Sequence, residues 1–340
     1  MVTFQHKMTA GLSSRGLEVC YDLADTPYQA VLVIGGTRQL VGLNRVLRQG
    51  IPIVQRLDGM NWMHTLPHFR KRGVSLRLYL RSEYGNWLLS LIRSRLASHI
   101  VYQSQFVRGW WEGKFGVAAV PATVIHNAVD LSVFSPQGIG HPPEDHFRLL
   151  LLEGSLAGGY ELGLEYAVEL ASRLASMRLP FPQQQVDLSI VGRVPLEVKQ
   201  RWEREAQLEA GDRPVHLVWF GIMPESQIPE IDRSVHLLYA ADLNSACPNS
   251  VIEAMACGLP VVAFDTGALS ELVTEEAGRV VPYGGDPWKL EKPDFSSLAA
   301  AAVEILGDRE RFNRGARRRA EQAFDLQRML DAYLTVLMEG

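Results

Sequence analysis

Sixteen consecutive residues, Pro248-Asn249-Ser250-Val251-Ile252-Glu253-Ala254-Met255-Ala256-Cys257-Gly258-Leu259-Pro260-Val261-Val262-Ala263, carry the residue types best suited to chemistry in this chain. They read as a loop, a short helix and a buried strand. Asn249 and Ser250 are good N-cap residues, and a helix that starts there leaves several backbone N–H groups without intrahelical partners. Those donors and the positive end of the helix dipole suit a phosphate. Glu253, one turn in, is placed to accept from sugar hydroxyls. Gly258 reads as the helix stop and Pro260 opens an apolar β-forming run. The same residues also read as a capping box, Ser250-x-x-Glu253, that satisfies its own backbone donors without a ligand.

The elements that must position this block follow from the rest of the chain. With 340 residues, 47% of them hydrophobic, two domains are expected. A net charge of −4 and a pI of about 6.2 exclude a general nucleic-acid binder. Cys20, Cys247 and Cys257 show no paired spacing, so neither a disulfide framework nor a zinc site is expected, and no metal ligand set is read. No signal peptide and no apolar run of roughly 18–20 residues is visible, which predicts a cytoplasmic protein, free or peripheral on the inner face of the membrane.

Strand-like and helix-like segments alternate. Strands are expected near 31–34, from 51 to about 58, 99–102 and 122–125, then near 148–152, 186–191, 216–220, 236–240, 260–264 and 279–281, with helices between them and at 3–15, 74–96 and 106–115, and two or three more over 296–338. Residues 135–146, with three prolines and two glycines, read as an interdomain linker. The pattern predicts two doubly wound parallel α/β domains facing each other, 1–140 and 141–324, with a C-terminal helix at 325–340 that packs back on the first. Ligands in such sheets bind beyond the carboxyl ends of the strands.

The stretches Val101-Tyr102-Gln103-Ser104-Gln105-Phe106-Val107, Val124-Ile125-His126-Asn127-Ala128-Val129-Asp130, Ile190-Val191-Gly192 and Pro248–Phe264 with its continuation to Val273 resemble, in order and spacing, the family-4 glycosyltransferases of the GT-B fold. The resemblance implies two Rossmann-like domains and transfer of a sugar from a nucleotide-diphosphate donor with retention of configuration, without a metal or other cofactor. The implied partners are the nucleotide sugar and a glycan or lipid-linked acceptor. It implies that Glu253 binds ribose hydroxyls, that Asn249 and Ser250 present backbone N–H groups to phosphate or sugar, that Thr266 and Gly267 neighbour the diphosphate, and that Gly221 and Ile222 hold the base. A retaining transfer of this kind demands no protein nucleophile, and His64, His68 and His126 read as surface or packing residues.

Three departures from the family pattern stand out. Ser245 occupies the place, eight before Glu253, where the family has a glutamate that touches the transferred sugar; Asn244 or Asp242 would partly replace it. The loop that normally carries an arginine and a lysine reads Glu153-Gly154-Ser155-Leu156-Ala157-Gly158-Gly159-Tyr160. In it, Gly154, Ser155, Gly158 and Gly159 offer backbone donors to phosphate, or form a plain turn, with Arg193 a substitute cation. The opening strand of the first domain is not found, which predicts a gap in that sheet. Asp58, where the family often has histidine, would accept from a sugar or acceptor hydroxyl, or cap its own turn. Catalytic roles thus fall to Glu253, Ser245 and Asp58.

Between His64 and Arg108, eight basic residues (Arg70, Lys71, Arg72, Arg77, Arg81, Arg93, Arg95, Arg108) face one acid, Glu83, with Phe69, Tyr79, Tyr84 and Trp87 interleaved. Leu76, Leu80, Trp87, Leu88 and Leu91 form an apolar stripe. The segment suits an anionic membrane surface or lipid-linked acceptor, or is a solvated helix face over a core. The competing functional reading is a non-catalytic GT-B binding or scaffold protein; a nucleotide-sugar epimerase or hydrolase is a third.

Overall fold

A computed structural model describes residues 2–66, 76–156, 161–209 and 215–339. The chain forms two units, Met1–Asn127 with Leu326–Gly340, and Ala128–Asp325.

The first unit runs α1 (Val2–Ser14), β1 (Val31–Ile34), α2 (Leu40–Arg48), β2 (Ile53–Leu57), a 3-10 turn (Met63–Thr65), α3 (Leu76–Arg95), β3 (His99–Tyr102), α4 (Gln105–Phe115) and β4 (Ala122–Val124), and adds α12 (Leu326–Glu339) from the chain's end. Its four strands are parallel and neighbour one another in sequence order. The gap expected in this sheet is therefore not there: β1 is an edge strand, and each later strand pairs with the one before it. Strand β2 is buried along its whole length, its Gln55 donating to the Gly35 carbonyl and its Arg56 to Asn127 Oδ1, and Val33, Leu43, Val46, Ile53, Leu88, Ile92 and Leu96 form the core beside it. Helix α12 docks on α1, with Phe4 and Tyr333 rings 5.3 Å apart, Arg15 paired to Asp331 at 2.6 Å, and Gly11 making room for Leu330.

The second unit contains β5 (Phe147–Ser155), α5 (Leu162–Ser176), β6 (Val186–Arg193), α6 (Leu196–Glu209), β7 (Val215–Gly221), α7 (Ile228–Arg233), β8 (Leu237–Ala240), α8 (Asn249–Ala256), β9 (Val261–Phe264), α9 (Leu269–Leu272), β10 (Gly278–Val281), α10 (Phe295–Gly307) and α11 (Arg309–Ala323). Its six parallel strands lie in the order β10-β9-β8-β5-β6-β7. The chain builds outward from β5 through β6 to β7, then crosses to β8 on the other side of β5. That reversal creates a switch point at the carboxyl ends of β5 and β8.

Residues 135–146 are not a free linker. They belong to the second unit, where the Arg233 guanidinium donates to the carbonyls of Ser135 (3.0 Å) and Ile139 (2.8 Å). Gly140 lies so close to the Glu230 carbonyl that no side chain would fit there. The glycines that read as breakers serve this close approach to α7. Arg317 of α11 holds the same region by donating to the carbonyls of Phe134 (2.9 Å) and Ala256 (2.7 Å) while pairing with Glu321.

Candidate functional site

The switch point gathers the loop ends of β5, β8 and β9 with the head of α8. Helix α8 takes Pro248 as its N-cap residue, with Asn249 and Ser250 as its first two helical residues and no side-chain cap. This corrects the expectation that Asn249 and Ser250 cap the helix, and the Ser250–Glu253 capping box is not formed. Proline fits because its fixed φ suits a helix start, and it shifts the boundary by one residue. The N–H groups of Asn249, Ser250 and Val251 therefore have no intrahelical acceptor, and neither Asn249 nor Ser250 makes a side-chain hydrogen bond among the described residues. At the other end, Gly258 (φ 75°) donates to Met255 at 3.0 Å and Leu259 donates to Ala254 at 2.9 Å, the paired bonds of a Schellman stop.

Glu253 lies mid-helix and is buried, 7% exposed. Asp232 of α7 and Cys257 lie within its electrostatic reach. Burial, and next the charge of Glu253, hold the Asp232 carboxyl well above the usual range, and burial pushes the Cys257 thiol up.

After β8, Asn244 adopts a left-handed backbone (φ 55°), which asparagine tolerates, and is buried with its Nδ2 unpartnered. Ser245 is buried beside Asp242, and its carbonyl accepts the Ala268 N–H at 2.9 Å. Gly267 (φ 63°) presses on the backbone of Asn244 and Ser245, and Thr266 is buried with its Oγ1 unpartnered. Buried polar atoms without partners are uncommon in folded proteins. Asn244 Nδ2 and Thr266 Oγ1 are two such atoms, on the loops that follow β8 and β9.

Gly154 and Ser155 are exposed at the end of β5. Gly158 and Gly159 lie outside the described residues. Ser155 pairs in register with Arg193 at the end of β6, and the Leu156 N–H donates to the Arg193 carbonyl at 2.9 Å. The Arg193 side chain is exposed and makes no ion pair among the described residues. Gly221 takes φ 71° at the end of β7, and Ile222 is exposed. Asp58 belongs to the first unit, at the end of β2, where its carbonyl accepts from Trp111 Nε1 at 2.8 Å. Its carboxylate makes no hydrogen bond among the described residues, so the self-capped turn is not formed. His64 is a packing residue, buried and bonded to Glu83 at 2.6 Å, and His68 lies outside the described residues.

Glu153 was not among the residues assigned a role from sequence. Burial, and next the charge of Asp242, push its carboxyl up to about 8. The signal was present, since an ionisable residue directly follows the apolar run Leu149–Leu152 at a strand's carboxyl end.

Two parallel α/β units of this topology make up the GT-B glycosyltransferase fold, and solved structures with this fold match nearly the whole chain. Sucrose-phosphate synthase from Thermosynechococcus elongatus superposes with a TM-score of 0.66 at 18% identity, over 99% of this chain and 78% of its own. Anabaena Alr3699/HepE, solved with UDP and glucose, gives 0.63 at 18% identity, over 91% and 78%. Residues 148–308, which lie in the second unit, match the family described as glycosyl transferases group 1. The 2-deoxystreptamine glucosyltransferase of Streptomyces kanamyceticus is 28% identical over 150 residues, which is 44% of this chain and 34% of that protein. The match thus spans about a third of this curated relative's length.

Proposed function

We propose that the protein is a retaining glycosyltransferase, a hexosyltransferase of family 4 serving polysaccharide biosynthesis, and that its second unit binds the nucleotide-diphosphate sugar. The observation that carries this reading is the uncapped head of α8 at the switch point, with the unpartnered polar atoms of Asn244 and Thr266 beside it. Backbone N–H groups there would hold the diphosphate and stabilise it as leaving group, which is how preorganised donors speed such a transfer. Arg193, in register with Ser155, would supply the cation that the loop itself lacks. Glu253 would accept from ribose, Gly221 and Ile222 would flank the base, and no metal is required.

Replacing Glu253 by Gln is expected to weaken binding of UDP, or whichever nucleoside diphosphate binds best in a panel, by about 1–2 kcal/mol, the scale of one charge-assisted hydrogen bond. Calorimetric titration checks this. Equal affinities of E253Q and the parent would remove Glu253 from the site, and a parent protein that binds none of the panel would favour the scaffold reading.

The acceptor side is assigned to the first unit, with Asp58 as a hydroxyl acceptor and α3 as a contact for an anionic membrane or a lipid-linked acceptor. Leu76 (73% exposed), Leu80, Tyr84 and Trp87 (53% exposed) leave apolar surface open beside Arg77 and Arg81. Leu88 instead joins the core, and Arg93 is buried on Tyr102 Oη and the Gly116 carbonyl, so neither serves that surface. Arg70, Lys71 and Arg72 lie outside the described residues. Among the described residues, no helix is long and apolar enough to cross a membrane. The double substitution L80E/W87S is expected to lower sedimentation with phosphatidylglycerol vesicles by about tenfold. Undiminished sedimentation would reject this contact.

A further inference from the structure

The second unit has a cavity of about 470 Å³ away from the switch point. It lies among residues 136–142, the carboxyl ends of α7 and α8, and α11. This volume is within the range of small-molecule sites. Helix α8 separates it from the donor loops. The head of α8 carries the free N–H groups, whereas Cys257 and Gly258 at its foot line the cavity, about 12 Å of helix away.

The lining is strongly basic. Arg233, Arg309, Arg314, Arg317 and Arg318 contribute to it, against two acids, Asp232 and Glu321. The two acids do not cancel this charge: burial raises the Asp232 carboxyl well above its ordinary range, and among the described residues Glu321 pairs with Arg317 alone at 2.7 Å. Among the described residues, Arg233 donates to the neutral carbonyls of Ile139 and Ser135. Arg314 and Arg318 pair with the exposed carboxylates of Glu310 (3.5 Å) and Glu276 (3.3 Å), contacts weak enough for both side chains to turn inward. Arg309 makes no ion pair or hydrogen bond among the described residues. Its charge reaches the cavity floor, where it is second only to burial in depressing His236 to about 3.

Guanidinium groups lining a concave site in which five arginines outnumber two acids, Arg309 among them without an ion pair, match the charge of a phosphate. We propose that this cavity is a second anion site, shaped for the phosphate group of a small phosphorylated compound. The proposal is independent of the donor site.

Crystals soaked in sodium tungstate, a phosphate mimic with a strong anomalous signal, test it. A peak is expected against Arg309 in the parent protein and none in R309Q/R314Q. Calorimetry at low salt should show affinity for inorganic phosphate reduced at least about fivefold in that variant and largely restored in R309K/R314K. Melting curves of both variants check that they remain folded. The absence of a peak in the cavity at saturating tungstate, or equal phosphate affinity in all three proteins, would overturn the proposal. A peak only at the head of α8 would overturn it while leaving the donor reading intact. Sedimentation with phosphatidylglycerol vesicles that depends on Arg309 and Arg314, with no tungstate in the cavity, would assign these arginines to a lipid headgroup and overturn the soluble-ligand proposal.

Discussion

Replacing Gly267 by alanine is expected to destabilise the second unit by about 2–5 kcal/mol and to abolish measurable nucleotide binding. Two effects add. Gly267 has φ 63°, a left-handed conformation that costs an L-residue about 1–2 kcal/mol. A Cβ there would also collide with the Ser245 backbone and come within 2.7 Å of the Asn244 carbonyl carbon. These neighbours are peptide groups, so the strain can be relieved only by moving the 244–245 segment, which also carries the Ser245 carbonyl bond to Ala268. That movement displaces Asn244 and Thr266 together. Gly154→Ala is the matched control, because nothing lies within 4 Å of its added carbon. It should change stability by less than about 0.5 kcal/mol. Thermal and denaturant melts of the two variants make the comparison, and a G267A protein as stable as G154A would contradict the packing described.

The second large effect is on pH dependence. Burial, and next the charge of Asp242, raise the Glu153 carboxyl from an ordinary 4.5 to about 8. The folded protein therefore retains a proton that the unfolded chain releases once the pH passes about 4.5. Below that value Glu153 contributes no difference; its contribution to stability then declines with rising pH and levels off above about 8. Glu153→Gln removes this dependence. The variant should match the parent near pH 4 and exceed it at pH 8.5 by on the order of 2 kcal/mol, well under the unscreened limit because Glu153 keeps some access to water. If the donor diphosphate lies where proposed, a newly charged Glu153 would repel it. Nucleotide affinity should then fall in the parent, and stay level in E153Q, as the pH rises through 8. Parallel stability curves for the two proteins would show that Glu153 ionises normally. A stability difference without an affinity difference would keep the carboxyl's burial but move the diphosphate elsewhere.

Much of the fold was legible because it is written in local pattern. Apolar runs bounded by glycine, proline and polar residues marked every strand, as at His99–Tyr102 and Val186–Arg193, and their alternation with helices implied parallel sheets. The stop of α8 was equally plain, since Gly258 followed by Leu259-Pro260 is a local signal realised by local hydrogen bonds. The start of α8 was misread by one residue, because Pro248, Asn249 and Ser250 all favour helix beginnings and propensity alone does not rank them. Residues 135–146 were misread because glycine and proline signal a break in regular structure equally well when the segment is packed. What pins this region, the Arg317 bond to Phe134, spans 183 positions.

The amino-acid order by itself determined the class of each element and the two-unit plan. Tertiary structure alone decided the strand order that puts β5 beside β8, the meeting of Asp232, Glu253 and Cys257, the raised carboxyl of Glu153 and the arginines around the rear cavity. The reason is the range of the forces involved. Backbone hydrogen bonding and hydrophobic period act over a few residues and leave a readable trace, whereas burial and charge act between groups that only the folded chain brings together.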